Sequence, residues 1–391
     1  MESKNRIKSI INAIDRKIGA KTVNLSSAVK ILCNGYSKTT ADEYTPVTSE
    51  ANGVEVQSIN RIMTVLDNAN QKTGYNDSSL TDAVQRLCDG YSEDEPLYSF
   101  GVLSDLHIQY ETGLADFQRA LTYLKDKVPF TCVCGDLVAY ATAANMAQYK
   151  EYVDTYAGDM PIYECAGNHE TYDYINEKVT AKTLTGEMLD RWISATGKEN
   201  PNYSFEYEDD VFIFLSLKSE SSNDLFVDGG LEWLAETLEA NKNKRCFVFQ
   251  HVQDPEDDIS DPSHSYSNIL SGTSGAEFLR LIRKYKNTVW FHGHTHLTLK
   301  SEIYPVSEHL GYRSVHIPSL SSLRFYNEET NALENYYYDE NNNKIWGSLL
   351  AEGYIVDVYK NKIIIKGINF ASGTNKDIVE LFADEVYVME V

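Results

Sequence analysis

Residues 98–107 read Tyr-Ser-Phe-Gly-Val-Leu-Ser-Asp-Leu-His, an apolar run that passes directly into an aspartate and a histidine. A run of roughly four to eight mostly apolar residues bounded by polar ones is typical of a buried strand. Asp105 and His107, two residue types that bind metals, stand where this strand is predicted to end. The stretch therefore predicts a strand of an internal sheet whose end carries polar chemistry.

The same arrangement, an apolar run followed by a polar motif, returns further along the chain. The motifs are Gly135-Asp136, Gly167-Asn168-His169-Glu170, His251 and Gly293-His294-Thr295-His296. The strands predicted between residues 98 and 317 are 98–103, 130–134, 162–165, 211–217, 246–249, 288–291 and 315–317. Helical patterns fall between them, best at 114–125, 144–156, 231–239 and 276–285. This alternation predicts an α/β domain.

The motifs are predicted to meet in space, although they are far apart in sequence. In α/β sheets the loops at the carboxyl ends of the strands converge on one edge, where ligands bind. The set mixes carboxylate, amide and imidazole groups, a ligand chemistry suited to Zn, Mn or Fe. After about residue 350 the helical patterns stop, and 354–359, 362–368 and 386–391 are predicted as closing strands that complete one sheet.

In this order, D-x-H, GD, GNHE, H and GHTH, the motifs resemble those of the calcineurin-like metallophosphoesterase family over roughly residues 97–370. The resemblance implies a two-sheet αβ sandwich. It also implies metal-dependent hydrolysis of phosphate esters, with a phosphodiester expected before a monoester, by a hydroxide that bridges the two metal ions of a dinuclear site. The substrate would be a small molecule or a polymer, with nucleotides, nucleic acid and phosphate-containing wall polymers all open.

The resemblance also assigns roles to single residues. One divalent ion would be held by Asp105, His107 and His296, and the other by Asn168, His251 and His294. Asp136 would bridge the two ions, which are expected to be Mn, Zn or Fe. His169 would face the substrate and assist the leaving oxygen, a role that suits a group titrating near neutrality. Asp136 and His169 are thus the predicted catalytic pair.

The second motif departs from the family pattern. Many members have GD-x-x-D there, and purple acid phosphatases have GD-x-x-Tyr, whereas this chain has Ala139, with Tyr140 one position late. The extra carboxylate or tyrosinate ligand is therefore missing. A purple ferric enzyme is not expected.

Other residues near the motifs receive lesser roles. Glu170 is expected to orient a ligand histidine by accepting its second N–H. His316 is interpreted as structural, with a place in the site as the alternative, and the remaining histidines, His264, His292 and His309, as structural. The stretches 254–266 and 326–338 are predicted to be irregular loops, either loops that select the substrate or ordinary solvated ones. Cysteines are expected to be reduced, and Cys132 and Cys134 to pack in the core.

The first 95 residues contain an internal repeat. Residues 25–37, LSSAVKILCNGYS, return at 80–92 as LTDAVQRLCDGYS. Each copy is typical of a short helix closed by glycine. The chain is therefore divided into a helical repeat module, 1–95, and the phosphoesterase domain, 96–391. The repeats resemble those of phage tail and other virion-associated proteins, which implies anchoring to a particle or homo-oligomerisation; the alternative is a duplicated helical hairpin.

Composition limits the partners and the location. With 58 acidic and 35 basic residues the formal charge is -23, which disfavours nucleic acid and leaves a nuclease as a minor alternative. No apolar run approaches the roughly 20 residues of a membrane span, and no signal peptide is recognised. We expect a bacterial cytoplasmic protein, or a virion-associated one if phage-encoded. The rival function is a virion or tail structural or binding protein that retains the phosphoesterase fold.

Overall fold

The computed structural model describes residues 96–391 except Tyr110, Ser222, His309, residue 331 and the segments 255–269, 300–305, 328–329, 339–343, 348–349 and 372–379. The predicted repeat module, 1–95, lies outside the described residues, as do His264, His309 and all of the predicted loop 254–266 except its first residue. Both the division into two parts and the role of the module therefore remain predictions.

The described helices are α1 Glu111–Leu124, α2 Ala143–Tyr156, α3 Glu187–Thr196, α4 Gly230–Ala240 and α5 Gly272–Lys284. The first strands are β1 Tyr98–Leu103, β2 Thr131–Cys134, β3 Ile162–Cys165, β4 Tyr172–Ile175, β5 Lys178–Ala181, β6 Tyr203–Tyr207, β7 Asp210–Phe214, β8 Cys246–Phe249 and β9 Thr288–His292. The later strands are β10 Val306–Ser307, β11 Arg313–His316, β12 Phe325–Asn327, β13 Ala332–Glu334, β14 Tyr336–Tyr338, β15 Lys344–Trp346, β16 Glu352–Val358, β17 Lys362–Asn369 and β18 Glu380–Glu390.

Two six-stranded sheets form the framework. Their strand orders are β18-β17-β16-β1-β2-β3 and β10-β11-β9-β8-β7-β6. The strands β1, β2 and β3 run parallel to one another, as do β7, β8, β9 and β11. The closing strands join the first sheet, with β16 antiparallel to β1. The predicted α/β two-sheet architecture is confirmed.

An aromatic layer fills the space between the two sheets. Phe100 of β1 meets Phe212 of β7 with ring centroids 5.1 Å apart and Phe247 of β8 at 5.3 Å. Phe130, just before β2, meets Phe212 edge-on at 5.0 Å. Tilted and edge-to-face contacts of this kind are favoured by the ring quadrupoles. The layer fixes the two sheets to each other and so fixes the relative positions of their strand ends.

Helices cover the outer faces of both sheets. Phe117 of α1, Tyr149 of α2 and Trp192 of α3 lie in one buried cluster with residues of the first sheet. On the second sheet, Phe278 of α5 packs edge-on against Trp290 of β9 at 5.1 Å. None of the described helices has the length and apolar character that a bilayer-spanning segment requires.

The structure corrects one prediction and confirms another away from the site. Residues 326–338 were expected to be irregular, but they contain parts of two short antiparallel pairs, β12–β13 and β14–β15. Tyrosines, four of which lie in this stretch, favour strands, but the absence of a long apolar run concealed the pairing. Cys132 and Cys134 are buried and free of disulfides, as predicted for core residues.

Candidate metal centre

Each predicted site residue follows one of the parallel strands. Asp105 comes after β1, Asp136 after β2, Asn168 after β3, His251 after β8, and His294 after β9. Since the aromatic layer holds the two sheets face to face, their carboxyl ends form a single edge. The residues that the five motifs contribute are brought together at that edge.

The ligand atoms form two groups that share one carboxylate. The first group contains Asp105, His107, Asp136 and His296, and the second contains Asp136, His251 and His294. Within each group the donor atoms, one from each residue, all lie within 4.8 Å of one another. Asp136 is the shared member, with Oδ2 at 3.1 Å from His251 Nε2 and 3.8 Å from His107 Nε2.

In each of the two aspartates, one carboxylate oxygen accepts hydrogen bonds from neighbouring residues and the other faces the centre. Asp105 Oδ2 accepts from the Ser104 hydroxyl at 2.6 Å and from the His294 amide at 3.0 Å, while Oδ1 lies 3.0 Å from His296 Nε2. Asp136 Oδ1 accepts from the His169 amide at 2.9 Å, and Oδ2 faces the imidazoles. Hydrogen bonds to the outer oxygens orient the inner ones, as expected of metal-binding carboxylates.

Backbone carbonyls orient three of the imidazoles. The Nδ1 atoms of His251, His296 and His169 contact the carbonyl oxygens of Cys134 at 2.6 Å, Ser322 at 2.7 Å and Ala139 at 2.8 Å. Because a carbonyl can only accept, each Nδ1 carries a proton and donates it. The Nε2 atoms of His251 and His296 are then turned toward the two aspartates, and each offers a lone pair to a metal once any proton on it is released.

The backbone at the site is strained. Asp105, His107, Asp136, His294 and His296 all have positive φ, at 53°, 44°, 53°, 74° and 60°. Residues other than glycine seldom adopt this region, and each instance costs on the order of 1 kcal/mol or more. Such strain persists where surrounding contacts enforce it, and it is concentrated at functional sites.

The motif glycines are needed because neighbouring groups approach too closely. A Cβ on Gly167 would lie 2.2 Å from Asp136 Oδ1, and one on Gly293 would lie 2.0 Å from Ser104 Oγ. Both clashes would displace a carboxylate of the centre or the hydroxyl that holds it. The glycines therefore set how tightly the loops of different strands pack.

The carboxylates of Asp105 and Asp136 stabilise a positive charge placed between them. Burial would lower the pKa of His251, but Asp136 and Asp105 outweigh burial and raise that pKa to about 10. Burial likewise opposes ionisation of Asp136, yet the imidazoles, His251 foremost, hold its pKa well below the usual range. Burial lowers the pKa of His294 to about 3, which keeps that imidazole neutral and able to bind a cation.

The donors fit divalent cations. Asn168 Oδ1 is buried and accepts no hydrogen bond, whereas the amide nitrogen donates to the Tyr172 hydroxyl at 3.4 Å. An unsatisfied buried acceptor costs roughly 1–3 kcal/mol, and a bound cation would remove that penalty. Carboxylate, amide and imidazole donors together suit Zn, Mn or Fe.

His169 occupies a different position from the predicted ligands. Its side chain is 28% exposed, whereas that of Asp136 is 1% exposed, and the two approach at 3.9 Å between His169 Nε2 and Asp136 Oδ2. The ring lies 4.4 Å from that of His107. His169 thus stands at the solvent side of the centre, where a substrate group would arrive.

Glu170 does not orient a ligand histidine, and that prediction is wrong. Its carboxylate accepts from four backbone amides, those of Asp136, Leu137, Val138 and Gly167. Burial, and next the charge of Asp136, raise the pKa of Glu170 to about 7, against the opposing effect of the hydrogen bond from the Gly167 amide. Glu170 holds the loop that carries Asp136 rather than an imidazole.

The other buried histidines support the centre from behind. His316 Nε2 lies 3.2 Å from the Leu297 carbonyl and 3.3 Å from the Thr295 hydroxyl, so it contacts the GHTH loop and not the ligand atoms. His292 is fully buried beside it, with ring centroids 5.6 Å apart. The structural interpretation of both holds.

The departure at Ala139 has a structural consequence that sequence reasoning missed. The Ala139 carbonyl fixes the ring of His169, and the next residue, Tyr140, stacks on Tyr174 with centroids 5.2 Å apart. Tyr172, in the same strand as Tyr174, places its ring 4.9 Å from His169. Tyr140 follows the motif of Asp136, and Tyr172 and Tyr174 follow the motif of His169. No local sequence pattern indicated that these tyrosines would contact one another or His169.

The family model for calcineurin-like phosphoesterases matches residues 98–297. The chain belongs to this family. The resemblance inferred from the five motifs is thereby confirmed, and the matched range spans the calcineurin-like phosphoesterase motifs from Asp105 to His296.

The relatives of this calcineurin-like phosphoesterase are distant. Sphingomyelin phosphodiesterase 2 of Caenorhabditis elegans is 24% identical over 247 residues, which cover 52% of this chain and 38% of that protein. The chain thus spans well under half of that relative. Among solved structures, GAP50, the anchor in the inner membrane complex of Plasmodium, is 16% identical with a TM-score of 0.44, over 73% of this chain and 88% of that one. Vps29 of Cryptosporidium parvum is 10% identical with a TM-score of 0.35, over 76% and 100%.

Proposed function

We propose that this calcineurin-like phosphoesterase hydrolyses phosphodiesters with a dinuclear metal centre. The observation that supports it best is the pair of ligand groups that share Asp136. Asp105, His107 and His296 would hold one divalent ion, and Asn168, His251 and His294 the other. Two adjacent cations need an anion between them, and Asp136 is the carboxylate common to both groups.

The bound ions would supply Lewis-acid stabilisation of the phosphoryl oxygens and a water of lowered pKa as nucleophile. The chain itself supplies orientation. The carbonyls of Cys134 and Ser322 fix the rings of His251 and His296, and the Ser104 hydroxyl fixes Asp105. Ligands held in this way do not have to reorganise during the reaction, which lowers the barrier.

His169 is the proposed proton donor to the leaving alcohol. Its Nδ1 is occupied by the Ala139 carbonyl at 2.8 Å, so Nε2 is the atom that can give a proton to an oxygen at the centre. Its partial exposure allows the proton to be replaced from solvent. General acid catalysis of this kind contributes typically about a hundredfold or more.

A diester is favoured over a monoester by the charge around the site. In the described part of the chain, the ion pairs of Asp105 and Asp136 are with histidines and not with Lys or Arg. A monoester dianion brings one more negative charge than a diester, and in the described residues the ion pairs of these two aspartates offer no lysine or arginine to compensate it. The net charge of -23 acts in the same direction.

The test is hydrolysis of bis-p-nitrophenyl phosphate and p-nitrophenyl phosphate by the full chain with Mn, Zn, Ni or Mg. We expect metal-dependent turnover, with the diester cleaved more efficiently, and loss of turnover in Asp136→Asn. Asp154→Asn, an exposed aspartate of α2, is the matched control and should leave turnover unchanged. Absence of turnover with every metal would contradict the proposal and favour a structural or binding role.

A further inference from the structure

A stacked pair of tyrosines lies next to the proposed proton donor. Tyr140 and Tyr174 have ring centroids 5.2 Å apart and planes inclined by only 24°. Tyr174 is 46% exposed, and among the described residues its aromatic contact is with Tyr140. One face of the Tyr174 ring is thus covered by Tyr140, while close to half of the residue still meets solvent.

The pair is continuous with the metal centre through β4. The ring centroid of Tyr172 lies 4.9 Å from that of His169, and the Tyr172 hydroxyl accepts a hydrogen bond from the side-chain amide of Asn168 at 3.4 Å. Alternate residues of a strand point to the same face, about 7 Å apart. Tyr174 therefore lies on the same face of β4 as Tyr172, two residues further along the strand than the ring that contacts His169.

The tyrosine pair is held in place before any ligand arrives. Arg191 Nη1 donates to the Ala141 carbonyl at 2.9 Å and pairs with Asp173 of β4 at 3.2 Å. The Ala141 amide donates to the Tyr172 carbonyl at 2.7 Å. Because the loop that carries Tyr140 and the strand that carries Tyr174 are tied together, binding would not incur the entropy of ordering them.

We propose that Tyr174, backed by Tyr140, is a stacking platform for a planar unsaturated ring in the leaving group of the substrate. The inference rests on the proposed phosphodiesterase function, and in particular on His169 as donor to the leaving oxygen. The near-parallel rings present one flat face, which suits offset stacking of a planar group. A quaternary ammonium is instead bound best among several aromatic faces that surround it.

The experiment measures binding and does not depend on turnover. Methyl benzylphosphonate and methyl cyclohexylmethylphosphonate resemble a diester with a non-cleavable leaving group, and they differ in whether the ring is planar. Their affinities for the Mn-loaded full chain are compared by titration calorimetry. We expect the benzyl ligand to bind about five- to tenfold more tightly, the usual magnitude of an aromatic pair.

Variants of the strand locate the effect. Tyr174→Leu should remove the preference for the benzyl ligand, whereas Tyr174→Phe should keep it. Ile175→Ala is the matched control, because Ile175 is the next residue of β4, is similarly exposed at 40%, and points to the opposite face. It should leave both affinities unchanged.

Equal affinity of the two ligands for the wild-type chain, or a preference that survives in Tyr174→Leu, would overturn the platform while leaving the phosphodiesterase function intact. Failure of both ligands to bind the metal-loaded chain would contradict the proposed function itself, and the platform with it.

Discussion

Two buried aspartates of this chain have opposite surroundings. Asp210, at the start of β7, accepts hydrogen bonds from Nε of Arg245 at 3.0 Å and from Nη2 of Arg245 at 2.5 Å. It also accepts one from the Tyr98 hydroxyl. Asp136, after β2, is flanked by the imidazoles of His251, His107 and His169. Both carboxylates are at most 4% exposed, but among the described residues Asp210 pairs with a permanently charged arginine and Asp136 pairs with histidines.

The difference separates a carboxylate with a permanently charged partner from one that is suited to binding a metal ion. Arginine keeps its charge at any pH of interest, so Asp210 and Arg245 form a closed pair that joins β7 to the segment before β8. Histidine can lose its proton and offer a lone pair instead. Around Asp136 the chain therefore provides positive charge that an incoming cation can replace, which is the arrangement expected of a metal centre.

The largest effect is expected from breaking the closed pair. Asp210→Asn leaves Arg245 charged, with a side chain that is only 11% exposed. We expect the free energy of unfolding, measured by urea denaturation, to fall by about 3 kcal/mol. Turnover per folded molecule should be retained, since Asp210 is not a ligand. A loss below about 1 kcal/mol would show that the pair is not structural.

Removing the proposed proton donor should give the next largest effect. His169→Ala is expected to lower kcat for bis-p-nitrophenyl phosphate by about a hundredfold, the usual contribution of a general acid. The metal content, measured on the same preparation, should not change, because His169 lies outside the ligand groups. Unchanged kcat would remove His169 from the mechanism, and loss of metal would make it a ligand.

Glu170 tests whether the loop that carries Asp136 must be held. Glu170→Gln replaces one of two carboxylate oxygens that together accept four backbone amides. We expect metal affinity to fall by about tenfold, as for other residues that orient ligands. Affinity equal to that of the wild type would show that the loop keeps its position without both oxygens.

The smallest effect on stability is expected for Asp136→Asn, and it gives the sharpest contrast with Asp210→Asn. In the presence of a chelator, Asp136→Asn should change the free energy of unfolding by no more than about 1 kcal/mol, because His251 can release its proton when the carboxylate is gone. Arg245 has no such option in Asp210→Asn. A loss as large as that of Asp210→Asn would show that Asp136 is part of the structural framework.

Much of this architecture could be predicted from the apolar runs. Strand β8, Cys246–Phe249, was predicted with its observed bounds, because a fully buried short strand is apolar throughout. Strand β3, Ile162–Cys165, was also predicted with its observed bounds, although it contains Glu164. Strand β6, Tyr203–Tyr207, was missed although its aromatic residues alternate with the exposed Ser204 and Glu206, because the strands before it were predicted from continuous apolar runs. Helix α3 was also missed, although Gly197 marks its end.

The ligand set could be inferred from motif order, but its supports could not. The carbonyls of Cys134, Ser322 and Ala139 that orient the imidazoles belong to residues whose side chains leave no signal of this role. The positive φ values of Asp105 and Asp136 likewise have no signal in the local sequence. The predicted role of Glu170 was wrong for the same reason, since its partners are backbone amides.

The central claim is that the two ligand groups sharing Asp136 hold two cations. The most direct measurement is the metal content of the full chain by inductively coupled plasma mass spectrometry, after loading with Mn or Zn and removal of free metal. The account predicts two ions per chain in the wild type and in Asp154→Asn, and a reduced content in Asp136→Asn. Retention of no metal by the wild type, or of the same content by Asp136→Asn, would contradict it.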